Sequence, residues 1–306
     1  MAEINEGVLD LSHLTTQAQA LARLPAYERI NRIRAEHWIG YTYARQALIE
    51  LEDLFNWPSR QRMQNMLLIG STNNGKSMII EKFRRQHLPR LSTDGSKEIV
   101  PVVVMQMPSE PSITRFYTML LHSMNTPIAR RLRVSDLETL ALRIMKTIEI
   151  RMLIIDELHN MLGGGPAIRR EFLNLIRFLG NILRIPIIGV GTEDAHRAIR
   201  SDDQLENRFK PFILPRWRDN DELMSLLASF ASSFPLRNIS ELHSKEMARY
   251  ILARTEGTIG EIALLLIHAA IAAIASGEEA INSKTLAMVN YDSPTQRRQK
   301  FEREIV

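Results

Sequence analysis

The sequence predicts an α/β protein: a parallel sheet flanked by helices, with an all-helical region after it. Three observations carry that expectation. Residues 67–77 read as a buried strand, a glycine-bounded loop and a helix start, with Gly70-Ser71-Thr72-Asn73-Asn74-Gly75-Lys76-Ser77 as the loop. Residues 151–157 (RMLIIDE) form an apolar run ending in two acids, and a run apolar at every position is a strand buried on both faces, as parallel sheets require. After Trp217 the apolar spacing becomes helical and stays so through residue 289.

The loop has the spacing G-x-x-x-x-G-K-[ST], whose chemistry is phosphate binding. Gly70 and Gly75 permit backbone conformations that a Cβ would block. The amides of Ser71, Thr72, Asn73 and Asn74 can then point inward at a phosphate, aided by the positive end of the next helix. Lys76 has the reach for β- and γ-phosphates, and Ser77 offers a hydroxyl to Mg²⁺. Ligands of parallel sheets sit at the carboxyl ends of the strands, which puts Asp156 and Glu157 beside this loop. Asp156 is the candidate for holding Mg²⁺, and Glu157 for activating the water that attacks a γ-phosphate. Loop and acidic strand in this order point to an ATPase with ATP and Mg²⁺ as its cofactors.

Composition sets broad limits. The chain has 306 residues, enough for one large or two smaller domains. It has no cysteine, which excludes disulfides and zinc–thiolate sites and fits a reducing cytoplasm. Residues 1–10, with acids and no apolar core, do not read as a signal peptide, and the late apolar run 262–275, interrupted by His268, reads as too short to span a bilayer. No membrane partner is therefore expected. The net charge of +4 permits nucleic-acid binding without requiring it.

Taken in order, 1–60 is a helical lead-in, with helices expected over 11–24 and 26–55 and with Pro25 and Pro58 as punctuation. Trp38, Ile39 and Tyr41 read either as an adenine-flanking group or as core. The α/β core occupies 61–217. Within it, 98–107 is a β-branched strand, 113–123 a helix, and Ser135 with Glu138 a capping box opening a helix to about 148. The basic loop 129–133 precedes that helix. Residues 163–166 (GGGP) break the chain, 168–181 is helical, and 185–190 is a strand ending beside Thr192. Thr192 reads equally as a γ-phosphate sensor and as a helix cap. Helices over 220–234, 244–255, 260–276 and 283–289 make a helical lid, 218–290, and the charged 291–306 reads as a loose tail.

The motifs GSTNNGKS at 70–77, MLIIDELHN at 152–160, IIGVGTEDA at 187–195, DDQLENRF at 202–209 and EGTIGEIALLL at 256–266 together resemble the AAA+ ATPases, and among them the TniB/TnsC-type transposition ATPases. The resemblance covers roughly residues 30 to 290. It implies ATP bound at subunit interfaces, and homo-oligomeric rings or helical filaments on duplex DNA. It also implies handing of a selected target to a DDE-type transposase, a TniQ-like targeting partner, and action in the bacterial cytoplasm. It makes Arg208 the arginine finger for a neighbouring subunit, with a guanidinium stabilising charge on the transferring phosphoryl group. It also points to DNA contacts at Thr114, Arg115, Arg131 and Arg133, residues that read just as well as a solvated basic surface. One departure stands out: where AAA+ lids carry a phosphate-contacting arginine, this chain has Glu261, with Arg254 as the substitute candidate.

Two other functions compete. Asp156-Glu157-Leu158-His159 matches a DExH helicase box superficially, yet the residues after it read as lid rather than as a second motor domain, which leaves a helicase loader. A nucleotide-gated scaffold is the third, against which Glu157 argues.

Overall fold

The computed structural model describes residues 10–35, 38–129 and 131–305. The chain forms two compact units, one made of residues 43–215 and one of residues 1–42 with 216–306.

The 43–215 unit is built on a five-stranded parallel sheet in the order β4-β5-β6-β1-β7. The strands are β1 (Asn65–Gly70), β4 (Val102–Gln106), β5 (Met152–Asp156), β6 (Ile187–Gly191) and β7 (Phe209–Leu214). β1 and β6 are buried at every position and β5 at every position but its last, which is why they read as unbroken apolar runs. Helices α3 (Thr42–Asn56), α4 (Lys76–Gln86), α5 (Ile113–Ser123), α6 (Val134–Thr147), α7 (Pro166–Leu183), α8 (Glu193–Ile199) and α9 (Asp203–Glu206) surround the sheet. Tyr117, Phe116 and Phe172 fill its core, none more than 0% exposed. Cα registers of Ile155 with Gly189, Ile69 with Gly191, and Gln106 with Asp156 bring the carboxyl ends of β1, β4, β5 and β6 to one edge.

Local departures from the sequence reading have physical causes. The strand expected over 98–107 is divided at Pro101. Val102–Gln106 joins the sheet, while β3 (Glu98–Ile99) pairs antiparallel with β2 (Arg90–Leu91). The cap of α6 lies earlier than Ser135. The Asp136 carboxylate accepts the Arg133 backbone N–H at 3.3 Å, and Glu138 is taken by the Tyr117 hydroxyl at 2.8 Å. A short 3-10 helix, Leu158–Gly163, follows the acidic strand.

The other unit is helical: α1 (Thr16–Ala22), α2 (Ala26–Arg34), α10 (Asp221–Ser233), α11 (Lys245–Thr255), α12 (Ile259–Ser276), α13 (Ser283–Met288) and α14 (Pro294–Ile305). The segment read as one helix over 26–55 is two, α2 and α3, and the unit boundary falls at Thr42. α2 is fixed among the later helices by Ile33 in their core and by Arg29. The Arg29 guanidinium is 2% exposed and donates to both carboxylate oxygens of Glu279 at 2.6 Å and to the Pro235 carbonyl at 3.0 Å. α12 is 18 residues long with mean hydropathy 2.0, enough by composition to cross a membrane. Here Ile262, Leu265, Leu266, Ala269, Ala270 and Ala273 are buried at the centre of the unit's core, the reason so apolar a helix exists in it. Residues 294–305, read as a loose tail, are helical. The Ser293 hydroxyl accepts the Gln296 N–H at 3.2 Å, and the Glu256 carboxylate accepts the Thr295 N–H at 2.8 Å.

Candidate active site

Gly75 takes φ 81°, ψ 5° immediately before α4, a left-handed conformation that favours glycine. Asn73 is also left-handed, at φ 60°. These two turns bend residues 70–75 around the start of α4. Asn74 braces the bend: its side chain, 2% exposed, donates to the carbonyls of Leu214 and Pro215 at 3.0 and 3.1 Å, tying the loop to β7. The side chain is thereby committed to β7, which leaves its backbone amide as the group it can offer inside the loop. Lys76 is 7% exposed, and its ammonium donates to the carbonyls of Gly70 and Ser71, both at 2.8 Å. Burial pushes its pKa below the ordinary lysine value, against the opposing pull of Glu157 and Asp156. A buried cation whose partners are neutral carbonyls has spare capacity for anionic oxygens.

Ser77 Oγ donates to Asp156 Oδ2 at 3.0 Å. A hydroxyl and a carboxylate oxygen so placed are the hard donors that Mg²⁺ takes alongside phosphate oxygens and water. Glu157 follows in a left-handed turn, φ 54°, with its backbone N–H on Asp156 Oδ1 at 2.8 Å. Its carboxylate lies 3.1 Å from His159 Nε2, a contact not anticipated from the sequence although DELH displays both residues. At the end of β6, Thr192 holds the cap position of α8 without capping it, and its Oγ1 is buried with no hydrogen-bond partner. The register therefore brings Gly70–Ser77, Asp156, Glu157 and Thr192 to one sheet edge.

Arg208 sits elsewhere. Its carbonyl accepts the Asn65 N–H at 2.8 Å, and Phe209 is in register with Asn65, so it lies at the amino end of β1, opposite the loop. Its guanidinium donates to Asn181 Oδ1 at 2.9 Å. Burial lowers its pKa first, and the nearby charges of Arg62 and Arg177 lower it further.

The model of the family "Bacterial TniB protein" matches residues 29–219, more than half of the chain. The chain belongs to the TniB family. No curated protein matches it. Among solved structures, Cdc6p from Pyrobaculum aerophilum is similar with TM-score 0.56 at 17% identity, covering 82% of this chain and 68% of that one. Aeropyrum pernix ORC2, as ADPNP-ADP complexes, gives TM-score 0.54 at 17% identity, covering 84% and 70%. Aeropyrum pernix ORC1 in complex with DNA gives 0.56 at 14%, covering 84% and 64%. At such identities the likeness is one of fold: this TniB-family chain has the AAA+ P-loop fold, a parallel sheet flanked by helices with a helical C-terminal region.

The four residues considered for DNA do not converge on one spot. Thr114 and Arg115 are exposed in the first turn of α5, where Arg115 pairs with Glu110 at 2.5 Å. Arg131, in a left-handed turn at φ 65°, and Arg133 are exposed ahead of α6, beyond the other end of α5. Residues 116–123 of α5, about 12 Å of helix, follow the first pair before the loop that carries the second. Arg130, part of the same basic loop, lies outside the described residues.

In the helical unit, Glu261 is 6% exposed and accepts the Tyr291 hydroxyl at 2.5 Å and Arg297 at 2.6 Å. Arg254 donates to the carbonyls of Leu286 and Tyr291 at 3.2 and 2.8 Å. Both residues considered for a second phosphate sensor thus hold residues 291–297 against the other helices of this unit. Burial, and then Glu261, raise the Tyr291 pKa. Ile39 and Tyr41 pack on this unit's core, and Tyr41 meets Trp217 edge-on at 5.2 Å.

Proposed function

We propose that this TniB-family chain is an ATP-dependent, DNA-binding regulator of transposition. It assembles on duplex DNA in the bacterial cytoplasm and passes a selected target to a DDE transposase, with a TniQ-like protein as a further partner. One observation supports the nucleotide half of this reading above others. A buried lysine ammonium rests on two loop carbonyls 2.8 Å away, next to a serine hydroxyl and an aspartate carboxylate 3.0 Å apart. That set suits a triphosphate and its cation.

Ser71, Thr72, Asn73, Asn74 and Gly75 offer loop amides to the phosphates, with Gly70 opening the loop, and Lys76 neutralises the β- and γ-oxygens. Ser77 and Asp156 would hold Mg²⁺, whose charge balances that developing between the β- and γ-phosphates. Glu157 takes a proton from water as the water oxygen bonds to the γ-phosphorus. The bridging oxygen departs with ADP, and Thr192 donates its free hydroxyl to the γ-phosphate. Arg208 acts on the ATP of a second copy. Thr114, Arg115, Arg131 and Arg133 meet DNA phosphates, contacts that carry little sequence information. The Aeropyrum pernix ORC1 structure contains DNA and the ORC2 structures contain ADP-type nucleotides, in keeping with both halves.

The test is negative-stain imaging and filter binding of the chain with duplex DNA in ATP, in ADP and without nucleotide. Ordered assemblies on DNA in ATP are expected. Equal DNA binding in all three conditions would refute nucleotide control.

A further inference from the structure

His159 stands at the strand-end edge and is left unused by the mechanism above. Its Nε2 lies 3.1 Å from Glu157 Oε2. Its Nδ1 is buried and has no hydrogen-bond partner. The ring rests on bare backbone: a Cβ added to Gly191 would come within 3.3 Å of Nδ1 and 3.5 Å of the His159 amide nitrogen. The next residue is Thr192, whose Oγ1 is likewise buried and unpartnered. The imidazole thus spans from the carboxylate at the end of β5 to the end of β6. Beneath it, Glu157 holds its left-handed φ of 54°, a conformation that non-glycine residues keep only where their surroundings impose it.

We infer that His159 is a positioning residue for Glu157. From 3.1 Å its Nε2–H is within reach of Oε2, and a hydrogen bond formed there would fix the carboxylate plane and leave Oε1 to receive the proton of the attacking water. With the proton on Nε2, Nδ1 carries no hydrogen, so it can lie against Gly191 without stranding a buried donor. A base held in this way gains from orientation, since proton transfer is efficient only within hydrogen-bond reach of the water. The sensing end of β6 and the base then share one wall, and a shift of either is felt by the other.

This assignment rests on the ATPase reading and on Glu157 as the base, so the experiment separates the two. ATP turnover, KM and nucleotide affinity are measured with duplex DNA for the full chain and for H159A, H159Q, E157Q and the double variant E157Q/H159A, with melting temperatures as a folding control. In H159A, kcat is expected to fall about tenfold or more, with ATP affinity within about twofold of wild type. H159Q, which can present an amide N–H to the same oxygen, should recover most of that loss. On the E157Q background, H159A should change kcat by less than about twofold, because the group being oriented is no longer a base.

An unchanged kcat in H159A, a folded H159Q as slow as H159A, or a further large loss on the E157Q background would each overturn the assignment. Wild type that binds ATP and never turns it over would overturn the ATPase reading itself. Turnover abolished by E157Q and untouched by H159A would overturn the role of His159 alone.

Discussion

Replacing Lys76 with alanine tests the nucleotide site most directly. The ammonium makes two hydrogen bonds of 2.8 Å to Gly70 and Ser71 carbonyls from a position only 7% exposed. On the proposed nucleotide site those two donor positions would turn to phosphate oxygens. A hydrogen bond involving a charged group contributes about 1.5–3 kcal/mol, so losing two weakens ATP binding by about 3–6 kcal/mol, roughly a hundred- to ten-thousand-fold in Kd. Without nucleotide the substitution has opposing effects: two carbonyls lose their donor, and a desolvated ammonium is removed from the interior. The melting temperature of the free variant should therefore stay within a few degrees of wild type. With ATP at about 100 times the wild-type Kd, mass action adds about 2.7 kcal/mol to the wild type and no more than about 0.4 kcal/mol to the variant. Thermal melts with and without Mg·ATP, supported by titration calorimetry, read this difference. A variant whose melting temperature rises with ATP as much as that of wild type would refute the phosphate-cradle assignment.

Three further outcomes are expected. Arg208→Ala should leave nucleotide affinity nearly intact and cripple turnover and assembly. Mixing it with Lys76→Ala subunits should restore part of the turnover wherever an intact loop meets an intact arginine, and no recovery despite proven co-assembly would count against action in trans. Replacing Arg131 and Arg133 together should weaken DNA binding about equally for all sequences and reduce the slope of log affinity against log salt by about 2 units, as measured by anisotropy. Glu279→Gln should destabilise the fold by about 3 kcal/mol in urea titrations, because it leaves the 2% exposed guanidinium of Arg29 without its charge partner. Burial would raise the Glu279 pKa, yet hydrogen bonds and charge from Arg29 hold it below 4.5. Its contribution is thus present above 4.5 and lost as pH falls through the lowered value, and the gap between wild type and variant should close in that direction.

Much of the α/β unit was legible because its chemistry is packed into short contiguous stretches. GSTNNGKS carries the loop, its glycine turn and its lysine in eight residues, and RMLIIDE announces a buried strand and its terminal acids together. Features that depend on distant residues were not legible. Arg29 and Glu279 are 250 positions apart and meet only because α2 packs with the later helices. The charged end of the chain looked loose because its own face is polar; what orders it is the buried carboxylate of Glu261, reached by Tyr291 and Arg297. His159 was in plain view in the DELH run, but its meaning depends on Gly191, a residue whose lack of a side chain carries no signal until the strands are in register.

Register also bears on where the arginine of DDQLENRF can act. Phe209 faces Asn65 and Leu214 faces Gly70, so Arg208 and the phosphate loop lie at opposite ends of the six residues of β1. At about 3.3 Å per residue that is roughly 16 Å of backbone, beyond the reach of one arginine side chain. Arg208 is also tethered away from the loop by Asn181 on α7. Arg62 and Arg177 crowd it with like charge, against the pull of Asp202. A partly buried guanidinium among others is a poor resting place for positive charge and a good one for an anion. On the proposed site a triphosphate bound by the chain itself would lie at the far end of β1, out of reach of Arg208. The triphosphate of a second copy would meet both conditions, and this is why we propose a site shared between copies rather than one completed within a single chain.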